Sequence, residues 1–327
     1  MPIYAVLPII AVVAIVLAKI PEISQLGFSA LPLAIVLGVI YGQFSHRSLE
    51  PKETKFSNFC KQKLLRSGII LFGFSLSFQQ IIAVGWQAIL LDFLVITIVF
   101  VVGTYVGIKV LKLHRDIAIL TAAGSAICGA AAVLATESML KPSQQHVTIA
   151  IATVVLFGTL AMFSYPLIYQ LVDMNEHSFG IYIGSTVHEV AQAVAAGQSI
   201  SAEAMQTAVV VKLIRVMLLA PFILVLSAVL TRIDNRSEDN KGVITIPWFV
   251  FGFMATVAIN SLFLLPEMVI TILSLISQFF LAIAMAALGV GTHWKTIKQA
   301  GAKPLFLALL LLILLLFGGF FLNSWLI

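Results

Sequence analysis

Length, composition and charge exclude a soluble globular fold for this chain. Of its 327 residues, 61% are apolar and only 10% are charged, whereas an ordinary soluble domain carries about 25% charged residues. The net charge of +5 does not indicate nucleic-acid binding, because the basic residues are scattered over short loops. The two cysteines, Cys60 and Cys128, have neither the number of a disulfide framework nor the spacing of metal ligands. The composition predicts a protein that lies almost entirely within a bilayer.

Apolar segments recur along the whole chain. A spanning helix needs about 20 mostly apolar residues, and the runs here are too long and too uniformly apolar for barrel strands. The sequence predicts eleven spans, at 3–19, 27–44, 65–84, 87–108, 117–139, 146–171, 179–197, 204–230, 246–264, 269–290 and 304–326. The first has no basic segment before it, so we interpret it as a retained span rather than a signal peptide. The predicted fold is an all-α polytopic membrane protein with one transmembrane domain, 1–327.

The lysines and arginines predict how these spans are oriented. With a cytoplasmic N-terminus, the loops 45–64, 109–116, 172–178, 231–245 and 291–303 face the cytoplasm. These loops and their edges hold Arg47, Lys52, Lys55, Lys61, Lys63, Arg66, Lys109, Lys112, Arg115, Arg232, Arg236, Lys241, Lys295, Lys298 and Lys303. The opposite side receives only Lys19 and Lys141, which is a strong positive-inside bias. We expect a multi-pass protein of the cytoplasmic (inner) membrane with its N-terminus inside and its C-terminus outside.

A shift of the chain against itself aligns three glycines. At 216 residues it pairs Gly73 with Gly289, Gly85 with Gly301 and Gly103 with Gly319, which relates 65–105 to 281–321. Seven predicted spans separate the two copies, so one copy would be inverted relative to the other. Inverted repeats are common in secondary transporters, because two similar halves can exchange conformations around a central site. Close helix packing explains the glycines equally well.

The segment 121–136 is rich in small residues. Gly124 and Gly129 weaken a helix where they occur. A helix broken at mid-membrane presents free N–H and C=O groups, which can hold an ion or an anionic substrate. Gly124, Ser125, Cys128 and Gly129 are therefore candidate substrate-binding residues. A tightly packed continuous helix is the alternative.

The segment 179–197 places ionisable groups near the bilayer midplane. His188 and Glu189 fall near its middle, and on a helix Gly184, Ser185 and Gln192 would lie on stripes beside them. Histidine exchanges protons near neutral pH. His188 and Glu189 are therefore the candidates for proton or ion coupling, and the three neighbours are candidates for substrate binding.

The next predicted span carries Lys212 and Arg215 near its centre. Glu189 and these two cations would together cost roughly 8–10 kcal/mol if they were unpaired and faced lipid. They must therefore face the protein interior, and an ion pair between Glu189 and one of the cations is the simplest hypothesis. Because such clusters mark substrate or proton paths, Lys212 and Arg215 are the predicted anion-binding residues. A structural salt bridge is the alternative.

The same residues disfavour an intramembrane enzyme. His188 and Glu189 resemble the start of the zinc-protease pattern His-Glu-x-x-His, but the fifth position is Gln192 and the second ligand is missing. Ser185 and His188 are only three residues apart, and no oxyanion site is readable around them. We expect no catalytic residues, no metal and no cofactor. Asp92, in another span, either lines a path or bonds to a neighbouring helix.

Two motifs carry a resemblance to a known family. They are Gly124-Ser125-Ala126-Ile127-Cys128-Gly129-Ala130 and Gly184-Ser185-Thr186-Val187-His188-Glu189-Val190-Ala191-Gln192, and Ala284-Met285-Ala286-Ala287-Leu288-Gly289 fits as well. Over essentially its whole length the chain resembles the YeiH family of bacterial membrane proteins, which are sometimes catalogued as sulfate exporters. That family is grouped with the bile acid/sodium symporter-like superfamily. The resemblance implies a panel domain, a core domain and two broken helices that cross near the substrate.

The resemblance leaves open which span crosses the one at 117–139. By the predicted topology, 179–197 runs in the same direction, whereas the crossing helices of an inverted repeat are antiparallel. The span 269–290 runs the opposite way and is the alternative partner. In that case 179–197 would form the polar wall of the site.

Together these features predict a secondary transporter of a small anion that works by alternating access with proton or sodium coupling. Sulfate is implied by the family label alone. An anion channel would also need basic residues at depth, and a non-transporting membrane scaffold or sensor is the third alternative. The expected partners are the lipid bilayer and a small anionic solute, with no nucleic acid and with a homodimer as an open alternative to a monomer.

Overall fold

The chain folds as a bundle of helices. The computed structural model describes residues 2–20, 29–45, 50–234, 248–263, 265–292 and 300–327, without the side chains of 231–234, and its regular elements are all helical. The helices are α1 (Ile3–Leu17), α2 (Ala30–Phe44), α3 (Pro51–Phe59), α4 (Leu65–Phe72), α5 (Phe78–Ala83), α6 (Gly85–Tyr105), α7 (Arg115–Ala126), α8 (Ala130–Leu140), α9 (Gln144–Tyr169), α10 (Glu176–Thr186), α11 (Val190–Gln198), α12 (Ala202–Met217), α13 (Leu219–Asp234), α14 (Trp248–Leu262), α15 (Glu267–Val290), α16 (Ala302–Ile313) and α17 (Gly319–Leu326). The all-α class is confirmed.

Many of these helices suit a membrane. Five stretches are long and apolar enough to cross one, namely Gly85–Val110, Gln144–Tyr169, Ala202–Leu230, Glu267–Val290 and Ala302–Leu326. Four shorter apolar helices accompany them, at Ile3–Leu17, Ala30–Phe44, Ala130–Leu140 and Trp248–Leu262. Large apolar side chains such as Phe93, Val225 and Phe321 are 60–70% exposed on the outside of the bundle. Such a surface suits lipid rather than water, so the prediction of a multi-helix membrane protein is confirmed.

Polar contacts show which helix ends lie together. At one end of the bundle, the near end, the contacting pairs are Ile3–Glu53, Gln43–Thr292 and Asp116–His146. At the other, the far end, they are Ser29–Ser199, Leu76–Asn260, His177–Thr207 and Ser178–Asn323. A helix with one terminus in each set runs through the bundle from end to end.

One group of helices, α1, α2, α4, α14 and α15, packs together on one side of the bundle. Glycines bring α2 and α15 into backbone contact, because a Cβ on Gly42 would lie only 2.7 Å from the Val290 carbonyl oxygen. Gly38 and Gly289 lie in the same interface. At this interface the small residues serve close helix packing.

The other group contains two helical hairpins. The first hairpin is α7 and α8, which begins and ends at the near end, because Asp116 of α7 lies beside His146 at the start of α9. The second hairpin is α10 and α11, which begins and ends at the far end, because His177 of α10 lies beside Thr207 of α12. Since α9 runs from the near end to the far end between them, the two hairpins enter the bundle from opposite ends.

Two of the predicted spans are hairpins in the structure. The sequence predicts single crossings at 117–139 and 179–197, but the structure folds each segment back on itself. The reversal has local causes, since Gly129 has a φ of +68° and Val187 and Glu189 are extended. The alternative in which 269–290 supplies the second broken helix is wrong, because Glu267–Val290 is continuous.

The first hairpin also changes the position of one lysine. Lys141 follows α8 and therefore lies at the near end, not on the side opposite the basic loops. Among the loop residues that the structure describes, Lys19 is then the basic residue left at the far end. Arg47, Arg236, Lys241, Lys295 and Lys298, and the side chain of Arg232, lie outside the described residues.

Candidate functional site

The tips of the two hairpins meet inside the bundle. The first tip is 127–129 and the second tip is 187–189, and they touch, because a Cβ on Gly129 would lie 2.6 Å from Glu189 Cγ. Each tip ends one helix and begins another, so the C-termini of α7 and α10 meet the N-termini of α8 and α11. The free C=O and N–H groups at such termini need partners away from water.

Lys212 and Arg215 supply donors for the two C-termini. Lys212 Nζ donates to the Ile127 carbonyl oxygen at 2.8 Å and also to the Val187 carbonyl oxygen, so one ammonium group joins both tips. Arg215 donates to the Ala126 carbonyl oxygen through Nε at 2.9 Å and through a second guanidinium nitrogen. Both cations are fully buried on α12, and the negative ends of two helix dipoles stabilise them there.

Glu189 supplies negative charge at the two N-termini. As the N-cap of α11 it forms a capping box with Gln192, whose Oε1 accepts from the Glu189 N–H at 3.0 Å. The Glu189 side chain also lies against Gly129 at the start of α8, near the Ala130 N–H. A carboxylate is favourable at a helix N-terminus because of the dipole.

The hypothesis of an ion pair between Glu189 and Lys212 or Arg215 is therefore wrong. Among the described residues, neither cation lies within ion-pairing distance of the Glu189 carboxylate. The cations bind the C-termini at the tips and the carboxylate binds the N-termini. Lys212 and Glu189 therefore interact electrostatically without forming a direct ion pair.

Four other polar side chains around the tips are buried with polar atoms that lack hydrogen bonds of ordinary geometry. Among the described residues these atoms are both carboxylate oxygens of Asp92, the hydroxyls of Ser125 and Ser185, and both ring nitrogens of His188, although Asp92 and Ser185 are near enough to interact. Asp92 is within electrostatic reach of Lys212 and Arg215, so the buried cations do have a carboxylate nearby. Buried unsatisfied groups are rare in native proteins and require an explanation.

Glycines let the hairpins fold and pack. A Cβ on Gly124 would lie 2.8 Å from Val133 Cγ2, so the glycine lets α8 lie against α7. Gly158 of α9 leaves room for the Gln192 side chain, because a Cβ on Gly158 would collide with the Gln192 amide. Gly124 and Gln192 thus contribute to packing around the tips.

A cavity of about 640 Å³ joins the near end to the tips. Cys128 and Glu189 belong to its lining, together with near-end residues such as Thr148 and Thr292. Of the predicted site residues, only Cys128 and Glu189 are among those that line it. The structure gathers the other predicted residues at the hairpins and α12, outside the cavity wall.

Two cations, Lys61 and Arg66, also line this cavity. Lys61 is close enough to interact electrostatically with Glu189, and the Arg66 guanidinium lies 5.8 Å from the centre of the Phe249 ring. Sequence reasoning missed both as site residues, because their place at the edge of a basic loop is explained by orientation alone. A small solute in the cavity would meet these cations, one carboxylate and two helix N-termini.

Comparison with known proteins defines the family of this chain. The family profile described as conserved hypothetical protein 698 matches residues 3–308. The chain belongs to the UPF0324 family. The UPF0324 inner membrane protein YeiH of Escherichia coli K12 is 48% identical over 303 residues, which cover 92% of this chain and 87% of the relative. The UPF0324 membrane protein PA5383 of Pseudomonas aeruginosa is 45% identical over 322 residues, which cover 96% and 91%.

These relatives confirm the resemblance to YeiH. Because several are named inner membrane proteins and the structure has several apolar helices, the chain is a multi-pass inner membrane protein. The printed names of the relatives give no substrate and no transport activity. No solved structure matches this chain.

Proposed function

We propose that this protein is a secondary transporter that moves a small anion by alternating access. The observation that carries the proposal is the contact between two hairpin tips, which come from opposite ends and border a cavity reaching the near end. Discontinuous helices whose termini meet at the midplane form the binding sites of many secondary transporters. Non-helical backbone is tolerated at that depth where it is buried or lines a cavity.

The two hairpins support an inverted repeat in which each residue of the first hairpin corresponds to the residue 60 positions later in the second. This shift of 60 residues pairs Gly124, Ser125, Ile127 and Ala131 with Gly184, Ser185, Val187 and Ala191. The single crossing by α9 inverts the second copy relative to the first. The predicted shift of 216 residues pairs α6 with 301–321 instead, and it stays a prediction. In this interpretation the chain crosses the membrane nine times and re-enters it twice.

We place the near end in the cytoplasm. Among the loop residues that the structure describes, every lysine and arginine except Lys19 lies at the near end. Cytoplasmic loops carry the excess of lysine and arginine in membrane proteins. The N-terminus is then inside and the C-terminus outside. The cavity therefore belongs to a conformation that opens towards the cytoplasm.

In this proposal the anion binds between the N-termini of α8 and α11 and the Lys61 ammonium group. Helix N-termini attract anions, but here the Glu189 carboxylate occupies them. Protonation of Glu189 removes that competing charge, so a proton and an anion bind together and their movements are coupled. His188, buried in the same tip, is the second candidate to carry the proton. Lys212 and Arg215 add a positive field behind the site.

Flux into proteoliposomes tests the transporter. Small anions, with sulfate among them, are supplied to the purified protein under a proton gradient or a sodium gradient. Saturable uptake that responds to one of the gradients supports the proposal. Single-channel currents would show an anion channel instead, and the absence of flux for every anion would contradict both functions.

A pair of neighbouring lysines tests the anion site separately. Lys61 lines the cavity, whereas Lys63 is exposed and lies outside the lining. An anion stabilises the folded protein by RT ln(1 + [L]/Kd), so thermal unfolding over an anion titration reports its affinity. We expect several-fold weaker binding in Lys61→Gln and unchanged binding in Lys63→Gln. Equal affinities in the two variants would remove Lys61 from the site.

A further inference from the structure

We propose that His114, Asp116 and His146 form a binding site for a divalent transition-metal ion at the near end. His114 is the N-cap of α7, Asp116 is in the first turn of α7, and His146 is in the first turn of α9. Asp116 Oδ2 lies 3.5 Å from His114 Nδ1 and 3.4 Å from His146 Nδ1. One ligand atom from each residue lies within 4.8 Å of the other two.

These separations suit metal ligation better than hydrogen bonding. Hydrogen bonds between a ring nitrogen and an oxygen usually measure about 2.7–3.2 Å. Ligands that are bound tetrahedrally at about 2.0–2.2 Å from zinc stand roughly 3.4 Å from one another. The two imidazole rings lie with their centres 4.4 Å apart, so a small side-chain rotation brings both to one ion. His114 Nδ1 now accepts from the Asp116 N–H at 3.3 Å, and ligation through that atom replaces this hydrogen bond.

The donor set selects the class of ion. Two imidazoles and one carboxylate suit Zn²⁺, Co²⁺, Ni²⁺ or Cu²⁺, whereas Mg²⁺ and Ca²⁺ prefer oxygen ligands alone. The side chains of Asp116 and His146 are 22% and 21% exposed, and that of His114 is 59% exposed. An ion can therefore reach the site from solution and meet two ligands that packing already holds in place.

A bound ion would tie the start of the first hairpin to the start of α9. Both α8 and α9 line the cavity, and Thr148 of the lining is two residues beyond His146. The far end has a similar but smaller cluster, in which His177 lies 4.0 Å from Glu203 and 3.3 Å from Thr207. With one imidazole and one carboxylate, that cluster serves as the matched control.

Isothermal titration with Zn²⁺ tests the site independently of transport. The purified full chain carries no polyhistidine tag and is stripped with EDTA beforehand. We expect about one Zn²⁺ per chain, affinity at least 10-fold weaker in His146→Ala and Asp116→Asn, and unchanged affinity in His177→Ala. Co²⁺ gives a second readout, because a tetrahedral site produces intense visible bands that His146→Ala should lose.

Two results would overturn the proposal. One is the absence of stoichiometric Zn²⁺ binding to the wild-type protein, and the other is equal binding by the wild type, His146→Ala and Asp116→Asn. Thermal unfolding without metal identifies a variant that fails to fold. If His146→Ala fails in this way, Asp116→Asn, which keeps the side-chain shape, carries the comparison.

Discussion

Lys212 and Arg215 show what a sequence can and cannot say about a single residue. Their depth and inward orientation were predictable, because the cost of a charge in lipid is a local property. Their partners were not, because the acceptor carbonyls lie 85 and 89 residues earlier in the chain and reach α12 only when the first hairpin folds back. The predicted ion pair with Glu189 failed for the same reason.

Lys212→Met tests how much the Lys212 ammonium group contributes to stability by bonding to both hairpin tips. The substitution keeps an unbranched chain of similar length but leaves the Ile127 and Val187 carbonyls without the ammonium donor, at about 1–3 kcal/mol for each unsatisfied group. We expect a clear drop in the apparent melting temperature of the detergent-solubilised protein. Lys303→Met, at an exposed position, should change it little. A wild-type melting temperature for Lys212→Met would show that these hydrogen bonds contribute nothing to the stability of the protein.

Gly129→Ala tests the first tip. Gly129 has a φ of +68° and a ψ of −134°, a sparsely populated backbone conformation that costs a residue with a Cβ about 1–3 kcal/mol, and its new Cβ would collide with Glu189. We expect lower thermal stability together with loss of the anion-dependent shift. Gly318→Ala is the control, because its φ is −64° and its nearest contact is a flexible leucine side chain. Equal behaviour of the two variants would contradict a strained tip.

Among the elements, the hairpins depart most from the sequence prediction. Apolar length shows that a segment lies in the membrane, but it does not show whether the segment crosses or returns. The reversal depends on three residues in each tip. A search for long apolar runs averages hydropathy over about 20 residues and therefore does not detect them. A signal was nevertheless present, since the Gly-Ser pairs at 124–125 and 184–185 are each followed by a β-branched residue two positions later and by an alanine six positions later.

The contact of Glu189 with two helix N-termini predicts pH-dependent anion binding. Because the ionised carboxylate competes with the anion, wild-type binding should strengthen as the pH falls. Glu189→Gln removes the charge, so its anion affinity should be nearly independent of pH. Anion titrations followed by thermal unfolding at several pH values measure both. Glu137→Gln, on the first hairpin and outside the cavity lining, should keep the wild-type pH dependence. A pH-dependent Glu189→Gln would assign the proton elsewhere.

For the whole molecule, composition predicted the membrane class, and loop charge predicts an orientation of the termini that stays a prediction. Replacing two crossings by two hairpins removes an even number of spans, so the predicted orientation stays the same. The correction even strengthens the charge bias, because it moves Lys141 to the basic side. Composition could not predict the pairing of helices, since apolar surfaces of similar size are interchangeable partners in lipid.

Cysteine labelling tests this orientation. Thr148 lines the cavity and Gln206 bonds to Gln80 at the far end, so each becomes a single cysteine in a variant without Cys60 and Cys128. A membrane-impermeant thiol reagent should modify Thr148→Cys in inside-out vesicles and Gln206→Cys in intact spheroplasts. The reverse pattern would place the near end outside, and modification of Thr148→Cys from both sides would indicate an open channel.

The donor that closes the first hairpin is made late in synthesis. Lys212 follows Ile127 by 85 residues, so when the first hairpin leaves the ribosome its tip carbonyls still lack their ammonium partner. We therefore expect the nascent hairpin to reach its final packing only after α12 inserts. A chain that stops after α11 contains the whole first hairpin but lacks Lys212. In such a chain the first hairpin should be accessible to proteases.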